Sequence, residues 1–228
     1  MMKFEYLLFD ADDTLFDFPK ASSRAFAAMC RARDIPYSPE AYRIYHEINL
    51  ELWAAFDRGE VTKEFVTLER YVRFLKALGL ERDPAGCNRD YLAALGEGVY
   101  PLPHAEEVCR ELKRRGHRMY IVTNAVASVQ RSRLRGSVFA ELFEDAFISE
   151  EAGAAKPSKA YFDYVRRRLP GLTDENALVI GDSLATDIRG ANNAGLPCCW
   201  VNPAGKPGRE GLRVDYEIAD LRELLDIV

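Results

Sequence analysis

Acids crowd one short stretch near the N-terminus, where Asp10-Ala11-Asp12-Asp13-Thr14 directly follows the apolar run Tyr6-Leu7-Leu8-Phe9. Three later stretches carry groups of complementary type: Thr123-Asn124, Ala155-Lys156-Pro157, and Gly181-Asp182-Ser183 with Asp187 about one helical turn further on. Carboxylates gathered in one place repel unless a cation sits among them, and oxygen-only ligands suit a hard ion such as Mg²⁺. A hydroxyl and a lysine beside such an ion would favour an anionic ligand. Taken singly, each stretch has an ordinary explanation. Acids after a strand are common turn formers, Thr123 and Asp182 can cap helices, and a lysine before proline can be a solvated loop residue. The chemistry therefore depends on whether the fold brings the four stretches together.

The elements that would do so are legible. Tyr6–Phe9 is short, continuous and ended by acids, which reads as a strand buried on both faces of a parallel sheet. Similar runs follow at 119–122, 146–148, 178–180 and 199–201, with a weaker one at 214–218. Helical patterns at 103–115, 124–135, 157–169, 183–195 and 219–226 separate them. Strand and helix in alternation predict an α/β fold, a doubly wound, Rossmann-like parallel sheet. In such sheets ligands bind beyond the carboxyl ends of the strands. All four stretches lie there, and a shared rim is harder to explain by four unrelated ordinary roles.

One gap breaks the alternation. The region 17–95 shows helical periodicity only, with Phe65, Leu68, Val72 and Leu75 as one apolar stripe and Tyr45, Ile48, Leu52 and Phe56 as another. A crossover needs a single helix, so this region reads as an inserted helical domain between core segments 1–16 and 96–228.

Composition narrows the classes further. The chain has 228 residues, is 48% hydrophobic and carries a formal charge of −5. That is enough to bury a core, and it supplies no general basic field for a nucleic acid polymer or an anionic membrane. Five cysteines without a paired spacing read as reduced, buried thiols, and the three histidines lack metal-ligand spacing. No apolar run reaches transmembrane length and no signal peptide is evident, so the expectation is a cytoplasmic protein, monomeric or a weak homodimer.

The quoted stretches resemble, in order and spacing, the four motifs of the haloacid dehalogenase-like (HAD) superfamily: Phe9-Asp10-Ala11-Asp12-Asp13-Thr14-Leu15, Val122-Thr123-Asn124, Lys156-Pro157, and Gly181-Asp182 with Asp187. Leu102-Pro103, Gln130-x-x-Arg133-Leu134, Phe147-Ile148-Ser149-Glu150-Glu151 and Ala194-Gly195 also match its usual wording. The run from Asp12 to Phe18, with Ile148-Ser149-Glu150-Glu151, is similar to the pyrimidine 5′-nucleotidase branch. The resemblance implies a helical cap inserted after the first strand and a phosphatase acting on a small phosphorylated substrate. It makes Asp10 a nucleophile that forms an aspartyl-phosphate, and Asp12 the acid and then the base. It places Mg²⁺ on the carboxylates of Asp10 and Asp182 and the backbone carbonyl of Asp12. Thr123, Asn124 and Lys156 would bind phosphate, and Asp187 would orient Lys156 or a metal-bound water from behind.

Two positions depart from the pattern: Ala125 and His104 stand where glycine is usual. Substrate choice would fall to the inserted domain, with Phe16, Phe18, Tyr45 and Trp53 as candidates for stacking on a base, although core packing suits Tyr45 better. Other readings are a sugar-phosphate phosphatase or phosphomutase, a haloacid dehalogenase, and a non-catalytic binding module. An acid at position 12 argues against the dehalogenase, and retention of every motif residue argues against the module.

Overall fold

Tyr6-Leu7-Leu8-Phe9 forms β1 (Tyr6–Phe9), with every residue buried, as a strand covered on both faces must be. The computed structural model describes residues 3–228. The chain divides into two compact units. One comprises the residues up to Phe18 together with Val99–Val228, and the other is Pro19–Gly98.

The first unit is built on a six-stranded sheet. After β1 come β2 (Arg118–Thr123), β3 (Asp145–Ile148), β4 (Ala177–Gly181), β5 (Cys198–Val201) and β6 (Tyr216–Ile218). The spatial order is β3-β2-β1-β4-β5-β6, and every pairing is parallel. Alternate side chains of each strand enter opposite layers. Leu7, Phe9, Ile121 and Ile180 pack with Val108, Cys109 and Leu112 on one side. Tyr6, Leu8, Val122 and Val179 pack with Tyr161, Phe162 and Val165 on the other. These helix residues belong to two of the five helices of this unit that lie beyond the insertion. Four further helices, α1 (Phe18–Ala32), α2 (Pro39–Asp57), α3 (Lys63–Ala77) and α4 (Pro84–Gly96), precede them in the chain. The five are α5 (Ala105–Arg115), α6 (Ala127–Arg135), α7 (Ser149–Ala152), α8 (Lys159–Arg168) and α9 (Arg189–Ala194). The α/β doubly wound sheet expected from the alternation is present.

The second unit is wholly helical, with α1 to α4 packed around an aromatic centre of Phe26, Tyr45, Tyr71, Phe74 and Tyr91. Arg70 is buried in this centre, donating to Asn49 at 3.0 Å and Asn88 at 2.9 Å and lying 4.7 Å from the Tyr91 ring centroid. Tyr45 is thus core, as its stripe implied. The other stripe needs correction. Phe65, Leu68 and Val72 are exposed and only Leu75 of that stripe is buried, while α3 also buries Val66, Arg70, Tyr71 and Phe74. The burying face is rotated by about one residue, and the arginine within it hid it from a hydrophobicity count.

All five cysteines are free and buried. Among the described residues, no helix is long and apolar enough to cross a membrane.

Candidate active site

The strand order reverses between β1 and β4, and the rim above such a switch point is the usual ligand crevice of an open parallel sheet. Asp10 follows β1 directly, its N–H donating to Ile180 O at 2.8 Å and so extending the ladder by one residue. Asp182 follows β4, and its carbonyl accepts from the Trp200 indole of β5 at 2.8 Å. Thr123 closes β2, and Lys156 lies on the loop between α7 and α8. The sheet therefore delivers all four expected groups to one edge.

The chain after Asp10 folds tightly back on itself. Leu15 and Phe16 N–H both donate to Ala11 O at 2.9 Å, Asp13 N–H donates to Phe16 O at 2.8 Å, and Asp13 adopts a left-handed φ of 59°. This turn tucks Phe16 into the core at 0% exposure. Phe16 is therefore a packing residue, unavailable for the stacking role that its position in the sequence suggested. Phe18 opens α1, and Trp53 is partly buried with its ring edge-on to Phe56.

Lys156 is the hub. Its buried Nζ donates to Asp10 Oδ1 at 2.6 Å, to Asp187 Oδ1 at 2.6 Å and to Val122 O at 2.8 Å. All three ammonium protons are used. Asn124 locks the lysine's own backbone: its Nδ2 donates to Lys156 O and its Oδ1 accepts from Lys156 N–H, each at 2.9 Å. That side-chain role was not foreseen, because an Asn at a helix start is indistinguishable in sequence from an ordinary cap. Asp187 is almost wholly enclosed. Its Oδ1 serves Lys156, and its Oδ2 accepts from Ser183 N–H at 3.0 Å. It sits in the wide π-type turn Leu184–Ile188, where the Ile188 N–H reaches back five residues to Ser183 O. Room for it comes from Gly181, where a Cβ would lie 2.3 Å from Asp187 Oδ2.

Carboxylate oxygens of Asp10, Asp182 and Asp187 all lie within 4.8 Å of one another. Three acids thus share one ammonium. Burial alone would push Lys156 toward neutrality, but Asp10 and Asp187 outweigh it and raise its pKa, holding it charged. Asp10 is raised well above the usual carboxylate range, first by burial and then by Asp187 and Asp182, against the pull of Lys156. Asp182 is pushed up to about 7, by burial first and then by Asp187 and Asp13. A buried, under-compensated set of oxygen ligands fits a hard divalent cation. Asp10 and Asp182 are the ligands the geometry favours, because both oxygens of Asp187 are already engaged.

Asp12 does not join this cluster through its carboxyl group. Its Oδ1 accepts from Nη1 of Arg133, a fully buried arginine on α6. The guanidinium lies 4.4 Å from the Phe16 ring centroid. Arg133 and its neighbour Gln130 were visible in the sequence only as family wording. A polar pair on a short, polar helix carries no sign of burial.

Comparison with known proteins agrees with this architecture. A family model described as haloacid dehalogenase-like hydrolase matches residues 4–195. YfnB of Bacillus subtilis (strain 168), a HAD-hydrolase by name, is 39% identical over 228 residues, covering 100% of this chain and 97% of that one. A crystal structure of YfnB bound to magnesium superposes with a TM-score of 0.93, covering 99% of this chain and 98% of the other. Two relatives named as pyrimidine 5′-nucleotidases are each 30% identical. PynA of Streptococcus pneumoniae (strain ATCC BAA-255 / R6) covers 99% of this chain and 95% of its own length. YjjG of Escherichia coli (strain K12) covers 98% and 97%.

Proposed function

Because this chain belongs to the haloacid dehalogenase-like hydrolases, we propose that it hydrolyses a nucleoside 5′-monophosphate through an aspartyl-phosphate on Asp10, with Mg²⁺ as cofactor. The observation that carries this reading is the Asp10–Lys156–Asp187 arrangement at the switch point, with Asp182 close by and a second acid two residues after Asp10. The names of PynA and YjjG support the substrate class, and the magnesium-bound YfnB structure supports the metal. The strand-bearing unit acts as the core domain. The helical unit acts as the cap that selects the leaving group, since strand-end groups of this kind recognise only phosphate.

In this scheme an Asp10 carboxylate oxygen forms a bond to phosphorus as the ester P–O bond breaks. Asp12 gives its proton to the departing alkoxide. Water then attacks phosphorus of the aspartyl-phosphate, Asp12 takes a proton from it, and phosphate leaves with Asp10 restored. Lys156 offsets the charge gathering on the phosphoryl oxygens, while the Thr123 hydroxyl and Asn124 backbone N–H hold one of them. Asp187 keeps the lysine in place. Bound by Asp10, Asp182 and the carbonyl of Asp12, Mg²⁺ would neutralise phosphoryl charge as a Lewis acid. The test is phosphate release from a panel of nucleoside monophosphates and sugar phosphates. Release should be greatest with nucleoside 5′-monophosphates, stop with EDTA and return with Mg²⁺. Release indifferent to EDTA, or from none of the panel, would refute the proposal.

The acid cluster also makes a stability prediction. The Asp182 carboxyl rises from its ordinary 3.8 to about 7 on folding, so the folded chain holds that proton more tightly than the unfolded one. Its contribution is full below the unfolded value and is lost as pH climbs through the folded value. Between pH 4 and 7 the metal-free protein should lose this contribution, and Mg²⁺ should replace the proton. At 100 times its dissociation constant, a ligand specific for the folded state adds about 2.7 kcal/mol. For a chain of this size that is roughly 5–10 °C in thermal midpoint. The Mg²⁺-induced shift should therefore be clear at pH 7.5 and small at pH 5. Equal shifts at the two pH values would contradict metal binding by these carboxylates.

A further inference from the structure

Helix α6 carries two polar side chains that are completely buried, Gln130 and Arg133. Three residues apart, they lie on one face of the helix. Arg133 Nη1 donates to Asp12 Oδ1 and also to Gln130 Oε1 at 3.1 Å. Gln130 Nε2 in turn donates to Thr123 Oγ1 at 3.5 Å. The direction of this chain is determined by its first member. A guanidinium can only donate, so Gln130 must present its oxygen to Arg133 and its NH₂ group to Thr123. Thr123 Oγ1 also accepts from the Ala125 N–H at 3.1 Å. With two donors aimed at the hydroxyl oxygen, its own proton is directed to an acceptor elsewhere.

We infer that Arg133 and Gln130 are positioning residues: together they set the Thr123 hydroxyl as a donor toward the phosphoryl group and tie it to Asp12 in one hydrogen-bonded unit. This inference rests on the function proposed above for Asp12 and Thr123. Burying a guanidinium is costly, and an apolar side chain would fill the same space against Phe16. What the arginine supplies there is one donor-only nitrogen, Nη1, that reaches a carboxylate and an amide at once from a flat cation lying against the Phe16 ring. The helix that carries the pair is itself held. Glu150 accepts from the Ala127 N–H at its first turn, and Arg131 pairs with Glu151 at 2.6 Å.

Gln130→Glu gives the sharpest test. It keeps the side-chain shape and gives Arg133 a charged partner, so the fold is retained, yet it faces Thr123 with an acceptor and draws the hydroxyl proton inward. Inorganic phosphate, titrated by calorimetry in the presence of Mg²⁺, should bind at least about 10-fold more weakly than to wild type. KM for p-nitrophenyl phosphate should rise in parallel while the thermal midpoint holds. The neutral variant Gln130→Met should weaken phosphate in the same direction, and in a Thr123→Val background it should add less than about a 2-fold effect. Arg133→Lys, which keeps the charge and loses the flat guanidinium held against Phe16, should lower kcat by about 10-fold or more, because Asp12 is no longer oriented. Wild-type phosphate affinity in Gln130→Glu overturns the inference, as does a Gln130→Met effect undiminished by Thr123→Val. The binding cycle needs no turnover. A wild-type protein that binds phosphate but hydrolyses nothing in the panel refutes the function and leaves the relay to be decided by the cycle. An active wild type with an additive cycle refutes the relay alone.

Discussion

Replacing Asp10 by Asn should abolish measurable phosphomonoester hydrolysis while leaving the protein folded and, at neutral pH without metal, no less stable than wild type. The loss expected for removal of a covalent nucleophile is at least about 10⁴-fold in kcat. The stability half of the prediction follows from the crowding at the rim. Asp10, Asp182 and Asp187 share one ammonium, and burial with its two acidic neighbours already pushes Asp10 well above the usual carboxylate range. A neutral isostere removes one of three like charges, and Lys156 keeps Asp187 and Val122 O as acceptors. Initial rates of phosphate release and thermal unfolding in EDTA at pH 7.5 check the two halves. Turnover within about 10-fold of wild type would exclude Asp10 as the nucleophile. Inactivity accompanied by unfolding would show that Asp10 is a structural residue first.

The second large effect is expected at Lys156. In Lys156→Met the side chain keeps its length, and the Asn124 clamp on the backbone at this residue is untouched. What is lost is the only cation hydrogen-bonded to both Asp10 and Asp187 among the described residues. Removing one partner of a buried charge pair costs about 3–5 kcal/mol. The orphaned carboxylates can escape much of that by taking up protons, so the destabilisation should be greater at pH 8 than at pH 5. Activity should fall by about 10³-fold even under conditions where the variant is folded, because the charge opposite the phosphoryl oxygens is gone. Denaturant unfolding at the two pH values, with kinetics at saturating Mg²⁺, measures both. A cost independent of pH would mean that the lysine does not hold carboxylates ionised.

Much of this site could be read before the fold was known, and the reason is physical. Strands buried on both faces are continuous apolar runs, so their ends are sharp in the sequence, and functional groups placed just past those ends inherit that clarity. The positions of Asp10, Thr123, Asp182 and Asp187 at the sheet's rim could be read in this way, and that of Lys156 through the loop that follows β3. What stayed hidden was the support beneath them. Gln130 and Arg133 look like the solvated face of a polar helix, yet Arg133 lies against Phe16 of the turn after Ala11 and Gln130 reaches Thr123 at the end of β2. The side-chain clamp of Asn124 spans two loops, a relation that spacing along the chain does not encode. In α3 the error ran the other way. Of the stripe Phe65, Leu68, Val72 and Leu75, the first three repeat with helical period but face solvent, while Leu75 and Arg70 occupy the buried side. Periodicity shows that a helix has faces, and it does not say which one the neighbours will cover.

The pairing of β1 has a consequence for the order in which the molecule assembles. The strand that carries Asp10 lies in the middle of the sheet, and its partners begin at Arg118 on one side and Ala177 on the other. A chain leaving the ribosome therefore exposes this fully buried strand early and must wait long to cover it. The helical unit, Pro19–Gly98, finds all its internal contacts within one contiguous stretch and can close in the meantime. When the chain returns, Asp17 N–H donates to Tyr100 O and Leu102 N–H to Leu15 O, each at 2.8 Å, clipping the two ends of the insertion side by side. Loop closure over a folded insert costs less entropy than closure over the same length of random chain. The interruption after β1 thus shortens the search that β1 must make, and the strand that carries Asp10 is seated between both partners only once the chain has been made past Ala177.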